Sequence, residues 1–159
     1  MQNESLKKKE ESQILVFRVA RVELGCDISY VREVLKPQEI YHLPQTPDFI
    51  EGVIHLRGQI VALMDLGKRL HLHSEEEDGN KRIIICRVHR FTVGLMVNSL
   101  SQIIAISQEE VKPIPELVSM QMEAEVISGL ARVGRRIIPI LDLEQIVTKK
   151  EVTELSAWQ

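Results

Sequence analysis

The sequence predicts a mostly-β protein made of two related halves packed together, each a small antiparallel barrel or sandwich, with a short helix at the C-terminal end. Three observations carry this. About ten short β-branched runs are separated by Gly, Pro or charged turns. No long stretch in the middle of the chain repeats its apolar residues at helical spacing. The chain also matches itself at a nearly fixed offset, which places related strand sets in both halves.

Taken in order, Met1–Ser12 is polar and charged and reads as a mobile tail. Strands are expected at Ile14–Ala20, Val22–Cys26, Ile28–Leu35, Val53–Leu56 and Ile60–Leu66 in the first half. The polar segment Ser74–Asn80 is an exposed loop joining the halves. Strands at Arg82–Val88, Phe91–Val97, Leu100–Ile106, Ala124–Val133 and Arg136–Asp142 complete the second half. Leu56-Arg57-Gly58 is a hairpin turn, with Gly58 free to take positive φ. Asp65 and Asp142 each end an apolar run and precede a Leu. An Asp there accepts the first helical N–H groups, so a short helix follows each, through Lys68–Leu70 and through Leu143, Ile146 and Val147. The folded unit is Gln13–Val147, and residues 148–159 form a second tail.

The repeat is specific in its order. At an offset of 69 residues Arg18, Val19, Arg21 and Gly25 fall on Arg87, Val88, Arg90 and Gly94. Ile28, Val31 and Val34 fall on Val97, Leu100 and Ile103, apolar on apolar. At an offset of 77 Gly52, Ile60, Asp65 and Leu66 fall on Gly129, Ile137, Asp142 and Leu143. Two related units of roughly 70 residues explain both offsets.

The 159 residues suffice for one domain or two small subdomains. Against 20 Lys and Arg stand 23 Asp and Glu, a net charge of −3, which argues against a nucleic-acid binder. The longest apolar runs are about five residues, far short of the ~20 a membrane span needs, so no membrane insertion is expected. The N-terminus has no apolar segment of signal-peptide length, and Cys26 and Cys86 form no CxxC pair, so a cytoplasmic location is expected.

Signatures of catalysis are scarce. There is no GxGxxG, GxxxxGK[ST], HExxH or GxSxG. His71 and His73 flank Leu72 but have no third ligand beside them except the acidic loop, so no metal is expected. Cys26 and Cys86 lie in apolar strand texture and read as buried hydrophobes. Asp65 and Asp142 raise the possibility of a carboxylate dyad, but neither has a Ser or Thr beside it, and capping explains both. No cofactor is implied. The richest segment is Phe49–Val61, where the turn presents Arg57 at a strand end. Its planar fork suits a partner's carboxylate or carbonyls. The competing reading pins Arg57 within the barrel against Glu51 or Asp65.

At this segment the chain resembles the CheW family of chemotaxis coupling proteins. The family pattern runs Gly-Val-x-Asn-Leu-Arg-Gly into a strand ending Pro-x-x-Asp-Leu, and Gly52–Leu66 reads GVIHLRGQIVALMDL. ILVFRVARVELGCDISYVREVL at Ile14–Leu35 resembles the family's opening, and LPQTPDFIEG, RIIICRVHRFTVGLMVNSL, SQEEVKPIPE and ISGLARVGRRIIPILDLEQIV continue the likeness. His55 replaces the usual Asn, Ala62 the usual Pro, and Asn98 a common Asp. The resemblance implies two small SH3-like five-stranded β-barrel subdomains, no enzymatic activity and no cofactor. It implies a cytoplasmic scaffold, recruited to receptor arrays at the inner face of the membrane, that links the cytoplasmic tips of methyl-accepting chemoreceptors to the regulatory domain of the histidine kinase CheA. An adaptor of a non-flagellar chemosensory pathway, serving pilus or gliding motility or second-messenger control, is the alternative. Val31, Glu33, Gly52, Arg57 and Ile103 match positions of partner contact. An apolar groove between the barrels would receive a helical hairpin.

Overall fold

The computed structural model describes residues 11–72, 79–120 and 126–147. The apolar runs ILVF and IIIC have no polar alternation because the strands that carry them are buried on both faces. In β1 (Glu11–Val19), Ile14 and Val16 point into one cluster while Leu15, Phe17 and Val19 point into another. In β6 (Arg82–Val88), Ile83 and Ile85 face one way and Ile84, Cys86 and Val88 the other. The first face of each strand fills its own sheet's concavity. The second packs across to the other sheet.

The remaining strands are β2 (Val22–Asp27), β3 (Val31–Leu35), β4 (Ile50–Leu56), β5 (Gln59–Asp65), β7 (Phe91–Val97), β8 (Ser99–Ser107), β9 (Val111–Lys112), β10 (Ile127–Val133) and β11 (Arg136–Leu141). They form a six-stranded sheet, β8-β1-β2-β11-β10-β9, and a five-stranded sheet, β3-β6-β7-β5-β4. Apart from β9, the two orders are the same once the repeat is applied, and they show how it is used in space. Each sheet takes its first hairpin from one half of the chain and its other principal strands from the other half. β2 pairs in parallel with β11, Gly25 opposite Ile140, and β7 pairs in parallel with β5, Gly94 opposite Leu63. These contacts fall at matching positions of the repeat.

Three apolar clusters follow from this layout. One lies within the six-stranded sheet around Ile14, Val16, Ile138 and Ile140. One lies within the five-stranded sheet around Ile54, Val61, Leu63 and Ile83. The largest joins the sheets, with Phe17, Leu24, Ile84 and Leu95 at its centre and Leu66, Leu143 and Ile146 closing it. Those last three belong to short helices α1 (Leu66–Arg69) and α3 (Leu143–Ile146); α2 is Glu116–Ser119.

All ten expected strands are present; β4 starts at Ile50, ahead of the expected Val53, and three other differences have a clear cause or partner. Glu11 and Ser12 belong to β1 and not to the tail, because their backbones pair with Ser107 and Ile106 of β8, and a ladder needs no apolar side chain. Ile28–Tyr30 is a 3₁₀ turn and not strand: the Asp27 carboxylate accepts the Ser29 N–H at 2.9 Å and turns the chain from one sheet into the other. The two-residue β9 has no counterpart among the expected strands; it pairs with Leu130 and Ala131 of β10. The tail at 1–10, most of the acidic loop, residues 124–125 of the ninth expected strand and the tail at 148–159 lie outside the described residues.

A candidate partner-binding surface on the five-stranded sheet

The surface is built on β4. Gly52 lies at a bulge in the β4–β5 ladder with φ at +148°. Here the chain that left β3 returns: the Tyr41 N–H donates to Val53 C=O at 2.8 Å, and the Val53 N–H donates back to Tyr41 C=O at 2.9 Å. A Cβ at Gly52 would lie 2.2 Å from the Tyr41 carbonyl oxygen, so only glycine lets the two backbones meet.

Beyond Gly52 the hairpin turns at Arg57 and Gly58, both with positive φ, 49° and 81°. That is the twist two-residue hairpins favour. The turn aims the Arg57 guanidinium at Glu33 on β3. Nη2 donates to Glu33 Oε1 at 2.8 Å and Nη1 donates to Oε2. β3 and β4 are the opposite edges of the five-stranded sheet. This two-point ion pair therefore closes the sheet's curl, together with the Gln38 amide donating to His55 C=O at 3.1 Å and the Tyr41 bridge. The Arg57 side chain remains 72% exposed and that of Glu33 25%. The hydrogen bonds from Arg57, with its charge, hold the Glu33 carboxyl below its ordinary value.

Neither Glu51 nor Asp65 takes Arg57. Glu51 accepts from Lys68 Nζ at 3.1 Å, and Asp65 caps α1 by accepting the Lys68 N–H at 3.1 Å. Asp142 caps α3 in the same way, through the Glu144 N–H at 3.1 Å. Both carboxylates thus serve helix ends.

Val31, two residues before Glu33, is half-buried against the cluster that joins the sheets. Val31, Glu33, Gly52 and Arg57 accordingly share the five-stranded sheet. Ile103 does not: it stands 57% exposed on β8, the opposite sheet's edge strand, paired with Leu15. It occupies the place in its sheet that Val34 holds on β3.

Where α1 and the residues after it lie against the six-stranded sheet, an apolar cleft of about 360 Å³ is lined by Leu24, Leu70, Leu72, Ile127, Pro139 and Leu141. Arg69 forms part of its wall. That arginine, 9% exposed, was not singled out by sequence reasoning, although it links the two short helices. Its Nε donates to Ile146 C=O at 3.1 Å, and its guanidinium lies 5.5 Å from the Phe49 ring centroid. The repeat held the signal, since residues 69 and 146 are equivalent at the 77 offset.

The thiols face away from any surface chemistry. Burial pushes Cys26 up to about 12 and raises Cys86 as well. Among the described residues no three His, Cys, Asp or Glu side chains stand where they could hold a metal.

Set beside known proteins, residues 13–151 match the CheW-like domain family. The chain belongs to the CheW family. The chemotaxis protein CheW of Treponema pallidum is 30% identical over 151 residues, covering 92% of this chain and 88% of that one. CheW of Klebsiella aerogenes is 29% identical over 140 residues, 88% of this chain and 84% of that one. The solved structure of the scaffolding protein TtCheW from Thermoanaerobacter tengcongensis superposes with a TM-score of 0.80 at 31% identity, covering 88% of this chain and 94% of that one. The CheW fold accounts for the two sheets, and the family is one of non-catalytic scaffolds. No helix among the described residues is long and apolar enough to cross a membrane.

Proposed function

We propose that this CheW-family scaffold couples the cytoplasmic tips of methyl-accepting chemoreceptors to the regulatory domain of the histidine kinase CheA, at receptor arrays on the cytoplasmic face of the membrane. One observation supports the reading most directly. Arg57, Glu33 and Gly52, which the family resemblance marks for partner contact, form a single structure on the rim of the five-stranded sheet. Glu33 and Arg57 act as a pair: Arg57 fixes the carboxylate and leaves its own outer face open to a partner's acceptors. Gly52 acts through the backbone path that places the hairpin. Val31 and Ile103 supply apolar contact on the two edge strands, and the cleft beside Arg69 suits a helical hairpin.

The test is reconstitution from purified parts. Binding of a receptor-tip hairpin and of the kinase regulatory domain is measured for the natural protein, for Arg57→Ala, and for the exchanged pair Glu33→Arg with Arg57→Glu. Arg57→Ala is expected to weaken at least one partner about tenfold with little change in melting. The exchanged pair is expected to regain part of that loss if the partner reads the hairpin's position, and none if it reads the Arg57 charge itself. Absence of binding by the natural protein to either partner would refute the reading.

A further inference from the structure

The internal repeat preserves side chains that the cores do not need. Arg18 and Arg87, Arg21 and Arg90, and Ile60 and Ile137 are matched pairs, and all six are exposed. They flank equivalent places, where β11 runs beside β2 in one sheet and β5 beside β7 in the other. In the six-stranded sheet a carboxylate is built in. Glu23, cross-strand from Arg18, accepts from Arg136 Nη1 at 3.2 and 3.3 Å. In the five-stranded sheet the residue cross-strand from Arg87 is Thr92, and the residue matching Arg136 is Gln59. Arg87 and Arg90 keep the places of Arg18 and Arg21, while the acid and the arginine that holds it are replaced by Thr92 and Gln59. A cavity of about 250 Å³ takes the acid's place, lined by Gln59, Ile60, Val61, Arg87, Arg90 and Thr92. Among the described residues neither Arg87 nor Arg90 forms an ion pair with a carboxylate. Ile60, 43% exposed, provides an apolar wall beside the two cations.

We infer that this cavity receives a carboxylate side chain from another protein, on a segment presenting Asp or Glu next to an aliphatic residue. At the matching place the molecule seats its own carboxylate, Glu23, on Arg136; here Arg87 and Arg90 supply the cations and the acid comes from outside. Two guanidiniums can share one carboxylate, Gln59 adds an amide donor, and Ile60 covers the neighbouring aliphatic group. A free anion would satisfy the cations but leave Ile60 uncovered, which favours the protein segment.

The experiment observes the Nε–H resonances of Arg87 and Arg90 and the amides of Gln59 and Thr92 by ¹⁵N NMR. The probes are N-acetyl-Leu-Glu-Leu-amide, its Gln counterpart and inorganic phosphate. The acidic peptide is expected to shift these resonances saturably, the Gln peptide not to, and phosphate to bind more weakly than the acidic peptide. Thr92→Glu, which restores the built-in acid of the other sheet, is expected to weaken the acidic peptide at least tenfold. Arg87→Gln is expected to do the same by removing a cation from the exposed rim, and serves where Thr92→Glu fails to fold. Equal response to the Glu and Gln peptides, no saturable response to the acidic peptide, or phosphate binding as tightly as that peptide would each overturn the inference. So would full peptide affinity in folded Thr92→Glu or Arg87→Gln.

Discussion

Replacing Gly52 by Ala separates a residue that shapes the surface from one that merely lies on it. The added Cβ cannot occupy its position 2.2 Å from the Tyr41 oxygen, so the returning segment must move away. That breaks the two backbone hydrogen bonds between Tyr41 and Val53, at 2.8 and 2.9 Å. At about 1 kcal/mol each, the pair costs about 2 kcal/mol. Holding a non-glycine residue at φ +148° adds about 1–3 kcal/mol. The sum, about 3–5 kcal/mol, corresponds to a fall in melting temperature of about 6–20 °C for a chain of this size. Gly58→Ala is the internal control. Its φ is +81°, but nothing lies within 4 Å of the added Cβ. It should cost only about 1–2 kcal/mol, the ordinary left-handed penalty. Circular dichroism melts of both variants, with hydrogen exchange at Tyr41 and Val53, test the reasoning. Equal losses for the two variants, or retained protection at Tyr41 and Val53 in Gly52→Ala, would show that close approach is not what requires glycine here.

Three further outcomes are expected. The Glu33 carboxyl is held below its ordinary 4.5 by Arg57, so the pair's contribution is complete above that value and is lost as pH falls through the depressed folded-state value. Carbon-detected NMR should place the Glu33 midpoint below 4.5 in the natural protein and move it upward in Arg57→Ala; an unmoved midpoint would dissolve the pair. Asp65→Ala and Asp142→Ala should each cost about 1 kcal/mol, as lost caps do, read as a drop in melting temperature of about 2–4 °C; no drop in either would remove its capping role. Cys26 and Cys86, both fully buried, should resist a thiol-specific reagent at pH 8 until denaturant is added, and rapid labelling of the native protein would contradict their burial.

Hairpins and caps were legible because their chemistry is local. Arg57-Gly58 announces a positive-φ turn, and Asp-Leu after an apolar run announces a strand end and a helix start. The pairing of strands from different halves was not legible. Similar halves reveal which strands are alike, but which sheet a hairpin joins depends on whose concave face its second apolar side fills. Ile14 and Val16 meet Ile138 and Ile140, more than a hundred residues away. The partner of Arg57 was hidden for a related reason. Glu51 and Asp65 lie nearer in sequence, but Glu33 faces the turn only because the sheet curls until its edges meet. The first two residues of β1 were concealed by their polarity, since a backbone ladder leaves no hydrophobic trace. Of the residues assigned by resemblance, four share one sheet, while Ile103 lies on the other because the chain crosses between sheets before β8.

The exchange of hairpins also sets an order for assembly during synthesis. Once Val97 has left the ribosome, every strand of the five-stranded sheet exists. The hairpin β1–β2, made first, is then still without its ladder partners. One edge waits for β8 and the other for β11, which ends at Leu141. For that interval the ILVF run has apolar side chains on two faces and an open edge on each side of the hairpin, features that invite mispairing. A translational pause between Val97 and Leu141 would lengthen the exposure, whereas one before Arg82 would leave both sheets equally unformed. The oldest segment of the chain is thus among the last to be secured.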